Sequence, residues 1–423
     1  MHRIRFLFPA AALLLAAASG GCTRPDDGVT HLQFSIWGSV EQEKVEREVV
    51  AAFEAAHPAI RIDLLAIGSQ YPAKIQAMMV GDAAPDVVMV GIDQYYEWAS
   101  RGVLLDLTDD LAAVTRGEAM FPIPRDAFAW KGRCYALPVN CHGMEMYVNR
   151  DAFRAAGLPF PGEGLTWEKL DALAPKLSRR HGDPRAPTDY AYELPNPMIL
   201  FWAFGAHLFD DPVHPTRVTV RSSEAREALD FMRRALASGY VVPSDVQGDQ
   251  GDYQLFRDGK VALYFNGRWS TPNFEGKTAF DWDVAPIPAG PAGRTTYHGG
   301  TALAVWKGSP HAEAAREFVR FYASPEGERI AMRGKRNVPV FRALASSPEF
   351  LALTPPASLA CFVRTMEEGG SAYPLYAPGS AEVAQIFGGR MEQALSQPGI
   401  PADRILAGLE ADLNRWLEAR PRP

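Results

Sequence analysis

Between Gly81 and Leu107 the chain reads GDAAPDVVMVGIDQYYEWASRGVLLDL, and few folds accept that order of residues. Gly81-Asp82-Ala83-Ala84-Pro85 is a turn. Asp86-Val87-Val88-Met89-Val90 is a short apolar run rich in β-branched residues, which between turn signals reads as a buried parallel strand. Gly91-Ile92-Asp93 follows, then a helical pattern from Gln94 to Arg101 closed by Gly102. A strand ending in a small residue and a carboxylate, just ahead of a helix, puts polar groups at the carboxyl edge of a parallel sheet. That edge is where open α/β sheets bind ligands. The alternative is an ordinary βα turn capped by Asp93.

The same alternation occurs upstream. His31 to Trp37 alternates as a strand does, Gly38-Ser39 ends it, and Val40 to Ala56 is an amphipathic helix with Val45, Val49, Ala52, Phe53 and Ala56 on one face. His57-Pro58 stops that helix, Ile60 to Leu65 is the next strand, and Tyr71 to Val80 is helical. Repeated βα units imply a doubly wound α/β sheet, with Trp37 and Asp93 at carboxyl edges facing one crevice. Downstream, Lys131 to Asn149 is long and extended, interrupted by Pro138 and Gly143. Strands average about 5–6 residues, so it reads as two strands joined by a crossing segment. Tyr297 to Val305 and Asn337-Val338-Pro339-Val340 are two further extended links. Gly259 to Trp269 is a strand ending in a glycine turn, Leu194 to Phe209 is an apolar run containing Trp202, and Ala312 to Tyr322, Ala381 to Leu395 and Pro401 to Ala419 are helices.

A length of 423 residues implies more than one domain. The net charge of −7 argues against nucleic acid and anionic membrane surfaces as partners. The chain holds no G-x-x-x-x-G-K-[ST] loop, no H-E-x-x-H and no paired C-x-x-C, so the sequence implies neither cofactor nor metal. His2, Arg3 and Arg5, an apolar run from Phe6 to Ala18, and Ser19-Gly20-Gly21 ahead of Cys22 make a secretion signal over residues 1–22. It resembles a bacterial lipoprotein signal, in which Cys22 becomes the lipidated first residue; the alternative is a plain signal cut nearby. Residues 23–30 read as a polar tether. Cys134, Cys141 and Cys361 are an odd number even in an oxidising compartment and are expected as buried free thiols.

The order of these segments resembles the family 1 extracellular solute-binding proteins of bacterial ABC importers, the maltose-binding-protein type. The matching pieces are the lipoprotein-like leader, Phe34-Ser35-Ile36-Trp37-Gly38, Gly81-Asp82 with Pro85-Asp86-Val87-Val88, and Gly132 to Pro138 with Tyr147-Val148-Asn149. They continue through Thr166-Trp167, Gly259-Lys260-Val261-Ala262 with Gly267-Arg268-Trp269, and Ala314 to Phe318 with Ser324-Pro325-Glu326-Gly327. The resemblance covers nearly the whole mature chain. It implies a two-lobed periplasmic-binding-protein fold of type II, with doubly wound sheets joined by a three-segment hinge. Residues 29–140 plus 299–338 would form lobe one, and 141–298 plus 339–423 lobe two. It also implies a ligand held between the lobes by hinge closure, an ABC permease as partner, a lipid anchor as the only membrane contact, a monomer, and binding without catalysis.

Sugars have apolar faces and a ring of hydroxyls, which suits aromatic rings and planar polar groups in a partly dry cleft. By position, Trp269 resembles the stacking tryptophan of the family's second lobe, and Asp93 a carboxylate that accepts sugar hydroxyls. His142 matches a site position at the first crossing. Trp37 and Glu41 sit on the first loop, Gly299 and Gly300 let backbone approach a ligand, and Trp202, Arg268 and Arg336 complete the candidate set. Trp269 and Trp202 read alternatively as core aromatics, and His142 as a linker residue. Before Asp93 the family's best-known member carries an aromatic where this chain has Val90-Gly91-Ile92, which leaves the sugar's identity open. The rivals are the same fold carrying a glycerol phosphodiester, polyamine or metal, and an exported glycosidase, which needs two carboxylates ~5–10 Å apart.

Overall fold

A computed structural model describes residues 28–38, 40–180, 185–243, 246, 253–368 and 375–420. The leader, Cys22 and most of the tether lie outside the described residues. The chain opens with strand β1 (Thr30–Trp37), helix α1 (Val40–Ala56), strand β2 (Ile60–Ile67), helix α2 (Tyr71–Val80), strand β3 (Val87–Gly91) and helix α3 (Ile92–Ser100). Val49 and Phe53 bury the inner face of α1, while Ala56, expected on that face, is exposed at the end of the helix. The strands β1 and β2 run parallel from Thr30↔Ile60 to Trp37↔Ile67, and β1 and β3 are parallel neighbours. Trp37 and Gly91 therefore end side by side at one carboxyl edge.

The remaining strands are β4 (Ala129–Trp130), β5 (Arg133–Cys134), β6 (Leu137–Asn149), β7 (Tyr190–Tyr192), β8 (Val261–Gly267), β9 (Trp282–Ala285) and β10 (His298–Val305). The sheet order is β2-β1-β3-β10-β6-β8-β7, with β9 also on β6. It is mixed rather than wholly parallel, because β10 is antiparallel to both β3 and β6. The stretch expected as two strands is one continuous strand, β6, whose halves have different partners. Leu137–Gly143 pairs with β10, whereas Met144–Val148 pairs with β8 and Met146–Asn149 with β9. Pro138, which lacks an N–H, is accommodated at a register shift between Thr301 and Ala302 on β10.

Two hydrophobic cores form on either side of that switch. One gathers β1–β3, α1–α3 and the helix Ala312–Tyr322, with the Phe318 ring edge-on to Phe34 and Phe53 at 5.1 Å each. The other gathers the second half of β6, β8 and the helices Pro197–Phe204, Ser223–Ala237, Ser380–Ser396 and Ala402–Glu418. A third cluster lies between them and takes in Phe121, Cys141, Tyr147, Val338, Phe341 and Phe362. Here Cys141 and Val338 exchange backbone hydrogen bonds of 2.9 and 3.1 Å, so the first and third extended links run side by side. Cys134, Cys141 and Cys361 are buried free thiols, as expected. Among the described residues no helix is long and apolar enough to cross a membrane.

Candidate functional site

The strand-to-helix junction after β3 sets one wall of the site. Gly91 is the N-cap of α3 and contributes no side chain, and Asp93 lies in the first turn rather than capping it. A helix N-terminus favours a carboxylate, yet burial dominates here and raises the Asp93 carboxyl above its ordinary value. Hydrogen bonds from the Gln94 side chain and from the backbone of Asp93 and Gln94 hold part of that rise back. A Cβ on Gly91 would fall 2.8 Å from Asp93 Oδ1 and 3.2 Å from Gln94 Oε1, so the glycine leaves room for these two side chains. Trp37 is half-buried and rests on Tyr71, ring centroids 5.1 Å apart. The Tyr71 hydroxyl donates to Met89 O at 2.8 Å and bonds Ser35 Oγ at 3.0 Å, which fixes the platform under the indole.

The opposite wall is built where β6 changes partners. His142 stands opposite Gly299 in the β6–β10 ladder, and a Cβ on Gly299 would lie 2.3 Å from His142 Nε2. Only glycine leaves the imidazole that space. Gly300 meets a similar demand from the backbone, since its Cβ would lie 2.7 Å from Asn140 O. The His142 ring meets the Trp269 indole edge to face at 4.7 Å and lies parallel to Tyr297 at 6.4 Å. Burial, with a smaller contribution from neighbouring His298, pushes the His142 pKa down to about 3, so the imidazole is neutral. Trp269 follows β8 in a short 3₁₀ turn and is half-buried. Its ring folds back over Gly267, where a Cβ would sit 1.8 Å from Cζ3.

The structure therefore gathers His142, Trp269 and Gly299 at the β6–β10 switch. Gly300 leads from there to Thr301, whose β3 partner is Gly91, so Asp93 follows the neighbouring strand and Trp37 ends the next one. Tyr297 and Gln94 belong with these residues and were not singled out as site residues from the sequence; Gln94 adjoins Asp93, and Tyr297 lies two residues before Gly299. Three other candidates are placed elsewhere. Arg268 is 0% exposed, donates to Asn337 O and covers the Phe350 ring at 4.6 Å, so its guanidinium faces the interior and not the cleft. Arg336 is half-buried, and its charge helps hold down the raised carboxyl of buried Glu46 on α1. Trp202 packs in the second core and presents only 4% of its surface, at the margin of a crevice. Glu41 lies in the first turn of α1, and its side chain is outside the described residues.

That crevice has a volume of about 2140 Å³. It is lined by Tyr96, Trp130, Lys131, Trp202, Phe209 and Tyr376, with the Tyr96 and Tyr376 rings edge to face at 6.1 Å. The helix Ser380–Ser396 packs against α3 beside it. Among the described residues no three His, Cys, Asp or Glu side chains are grouped as metal ligands would be. Aromatic faces, a carboxylate acceptor, a neutral imidazole and close-approach glycines suit a hydroxyl-rich ligand with apolar faces.

The sequence profile of the bacterial extracellular solute-binding proteins matches residues 38–329. The chain belongs to that family. This solute-binding protein is 28% identical over 344 residues to an uncharacterised lipoprotein of Streptomyces antibioticus, covering 76% of this chain and 73% of the relative. It is 21% identical over 346 residues to an arabinooligosaccharide-binding protein of Bacillus subtilis, covering 77% of each. Its fold superposes on the ABC substrate-binding protein Lmo0181 of Listeria monocytogenes, solved with cycloalternan, with a TM-score of 0.81 at 22% identity. That match covers 93% of this chain and 100% of the other. The solute-binding protein thus has the two-lobed fold of type II.

Proposed function

We propose that the protein captures a sugar or oligosaccharide between its lobes and delivers it to the permease of an ABC importer. In this reading it is exported as a monomer, anchored through a lipid on Cys22, and binds without catalysis. Its lobes comprise residues 29–140 plus 299–338 and 141–298 plus 339–423. The observation that carries the reading is the half-buried Trp269 indole set against a neutral His142 across Gly299. It offers an apolar face beside hydrogen-bonding groups, the pairing that sugar rings require. The arabinooligosaccharide-binding relative and the cycloalternan-bound structural neighbour support a carbohydrate.

A phosphodiester would call for converging cations, and the arginines around the crossings are engaged elsewhere. Arg268 bonds Asn337 O, Arg294 bonds Ile287 O and pairs with Glu163, and Arg364 also pairs with Glu163. A thermal-shift screen over carbohydrates, glycerophosphocholine and polyamines tests the proposal, because a ligand that binds only the folded state raises the melting temperature. Stabilisation by the charged compounds with none by any carbohydrate would refute it. Incubation with glycans is expected to release no products.

A further inference from the structure

Resting on the reading of Trp269 as the ring that meets a sugar, we propose that Arg268 is a positioning residue. It clamps the turn that carries Trp269 to the third extended link, so that indole and link move as one piece. Arg268 opens the short 3₁₀ turn after β8, next to Trp269, and its side chain is fully buried. Its Nη1 donates to Asn337 O, and its guanidinium lies over the Phe350 ring at 4.6 Å. Among the described residues Nε and Nη2 have no hydrogen-bond partner. A buried cation so thinly satisfied costs stability, and a methionine would cover Phe350 without that cost. What the arginine adds over an apolar side chain is a donor at Asn337 O.

That one bond closes a circuit. Asn337 precedes Val338, which exchanges backbone hydrogen bonds with Cys141. His142, the next residue along β6, meets the Trp269 indole at 4.7 Å. Tyr147 holds the turn from its other side, its hydroxyl donating to Gly267 O at 2.9 Å and bonding Thr271 Oγ1 at 3.1 Å. A second tie runs beside the first. The Lys335 ammonium donates to Thr354 O and pairs with Glu275, whose own N–H donates to Thr271 O at 3.1 Å. Lys335 has a φ of +56°, a backbone conformation that persists in a residue with a side chain only where the surroundings hold it. One residue earlier, Gly334 lies against α1, where a Cβ would fall 2.2 Å from Val45 Cγ2. The link thus leaves α1 and enters the clamp within one residue, so its movement is delivered to the indole rather than absorbed between them.

The test is fluorine NMR of the full protein labelled with fluorotryptophan and free of sugar, the Trp269 line being assigned by its loss in Trp269→Phe. In Arg268→Met that line is expected to move or broaden while the lines of the remaining tryptophans hold their places. Arg268→Lys, which keeps a buried donor, should hold the parent line. If Arg268→Met does not fold, Lys335→Met at its half-buried position releases the second tie and should displace the same line. Affinity for maltotriose or arabinotriose, whichever the parent binds, should fall about tenfold, ~1.4 kcal/mol, in Arg268→Met and stay within about threefold in Arg268→Lys. A merely structural arginine would lower the denaturation midpoint and leave the Trp269 line in place, and an unmoved line in the variants that fold would overturn the clamp. Equal displacement in Arg268→Lys would trace the effect to packing on Phe350 and overturn it as well. Glycerophosphocholine bound in place of either sugar would overturn the carbohydrate reading, while the fluorine spectra, recorded without sugar, would still decide on the clamp.

Discussion

The Trp269 indole and Gly267 act as one device, because the ring occupies the space that any larger residue at 267 would need. Replacing Trp269 by Ala should weaken sugar binding by about 2–4 kcal/mol, the scale of a hot-spot truncation. Stability should fall by less than the ~3–5 kcal/mol of a truncated core aromatic, since the ring is only half-buried. Calorimetry and denaturant titration on the same variant separate the two effects, and lost stability with intact affinity would move Trp269 into the core. Gly267→Ala should displace the ring and reduce affinity although the tryptophan remains. With its pKa at about 3, His142 stays neutral from pH 5 to 8, so affinity should be flat there; a slope that disappears in His142→Gln would contradict this. Trp269, His142 and Gly299 were legible from the sequence because a glycine turn after a strand, or a glycine pair beside a crossing, restricts what its neighbours can do. Arg268 was not, because Asn337 and Phe350, which draw it inward, lie far along the chain.

At the scale of elements, three buried carboxyl groups, Glu145 on β6, Glu328 on the helix Pro325–Ala331 and Glu46 on α1, are held above their ordinary pKa values. On β6, Glu145 accepts a hydrogen bond from Thr365 Oγ1. Glu328 accepts from the Val340 N–H at 2.9 Å on the third link, and Glu46 of α1 accepts from Gln42 Nε2 at 3.2 Å. Burial is the largest cause in each case. It pushes Glu46 up to about 7 and Glu145 to about 8, and raises Glu328 well above the carboxylate range. A carboxyl with a folded value above its unfolded one contributes stability that is whole below pH 4.5, near the unfolded value. That stability is lost as pH rises through the folded value, here toward 7 for Glu46 and 8 for Glu145. Unfolding midpoints should therefore fall from pH 5 to 8, and Glu145→Gln should flatten part of that fall; parallel profiles would assign the slope to other groups. The helices assigned from periodicity, such as Val40–Ala56 and Ala312–Tyr322, were readable to within a residue or two because their pattern is local, whereas Ser223–Ala237 and Ala360–Glu368 were not assigned. The continuity of β6 was not, because Pro138 and Gly143 look like breaks until β10 supplies the register shift that accepts them.

For the whole molecule, three extended links imply a rotation of one lobe against the other rather than a free tether. Small-angle scattering should give a smaller radius of gyration with a saturating sugar than without it, and an unchanged radius would argue for a rigid site. Cys22→Ala should release the protein from the membrane fraction, and wild-type protein already soluble would rule out the anchor. Two lobes around one cleft were legible because the order of weak motifs spans nearly the whole chain. The crevice wall at residues 207–219 was not, because its shape rests on Asp210 and Asp211 bonding their own loop.

The Cys141 thiol points at Pro339 O from 3.4 Å and at Val338 O from 3.6 Å, with no exposed surface. It is thus sealed by the very strand pair that must shear when the lobes rotate, and burial raises its pKa well above the ordinary thiol value. An alkylating reagent can reach it only while the first and third links are apart. The labelling rate of Cys141 then serves as a clock for transient opening of the joint, read by mass spectrometry in a chain with Cys134 and Cys361 replaced by serine. Saturating sugar should slow that clock if the closed joint is the tighter one, and the ratio of the two rates would measure how firmly a bound ligand locks the molecule shut.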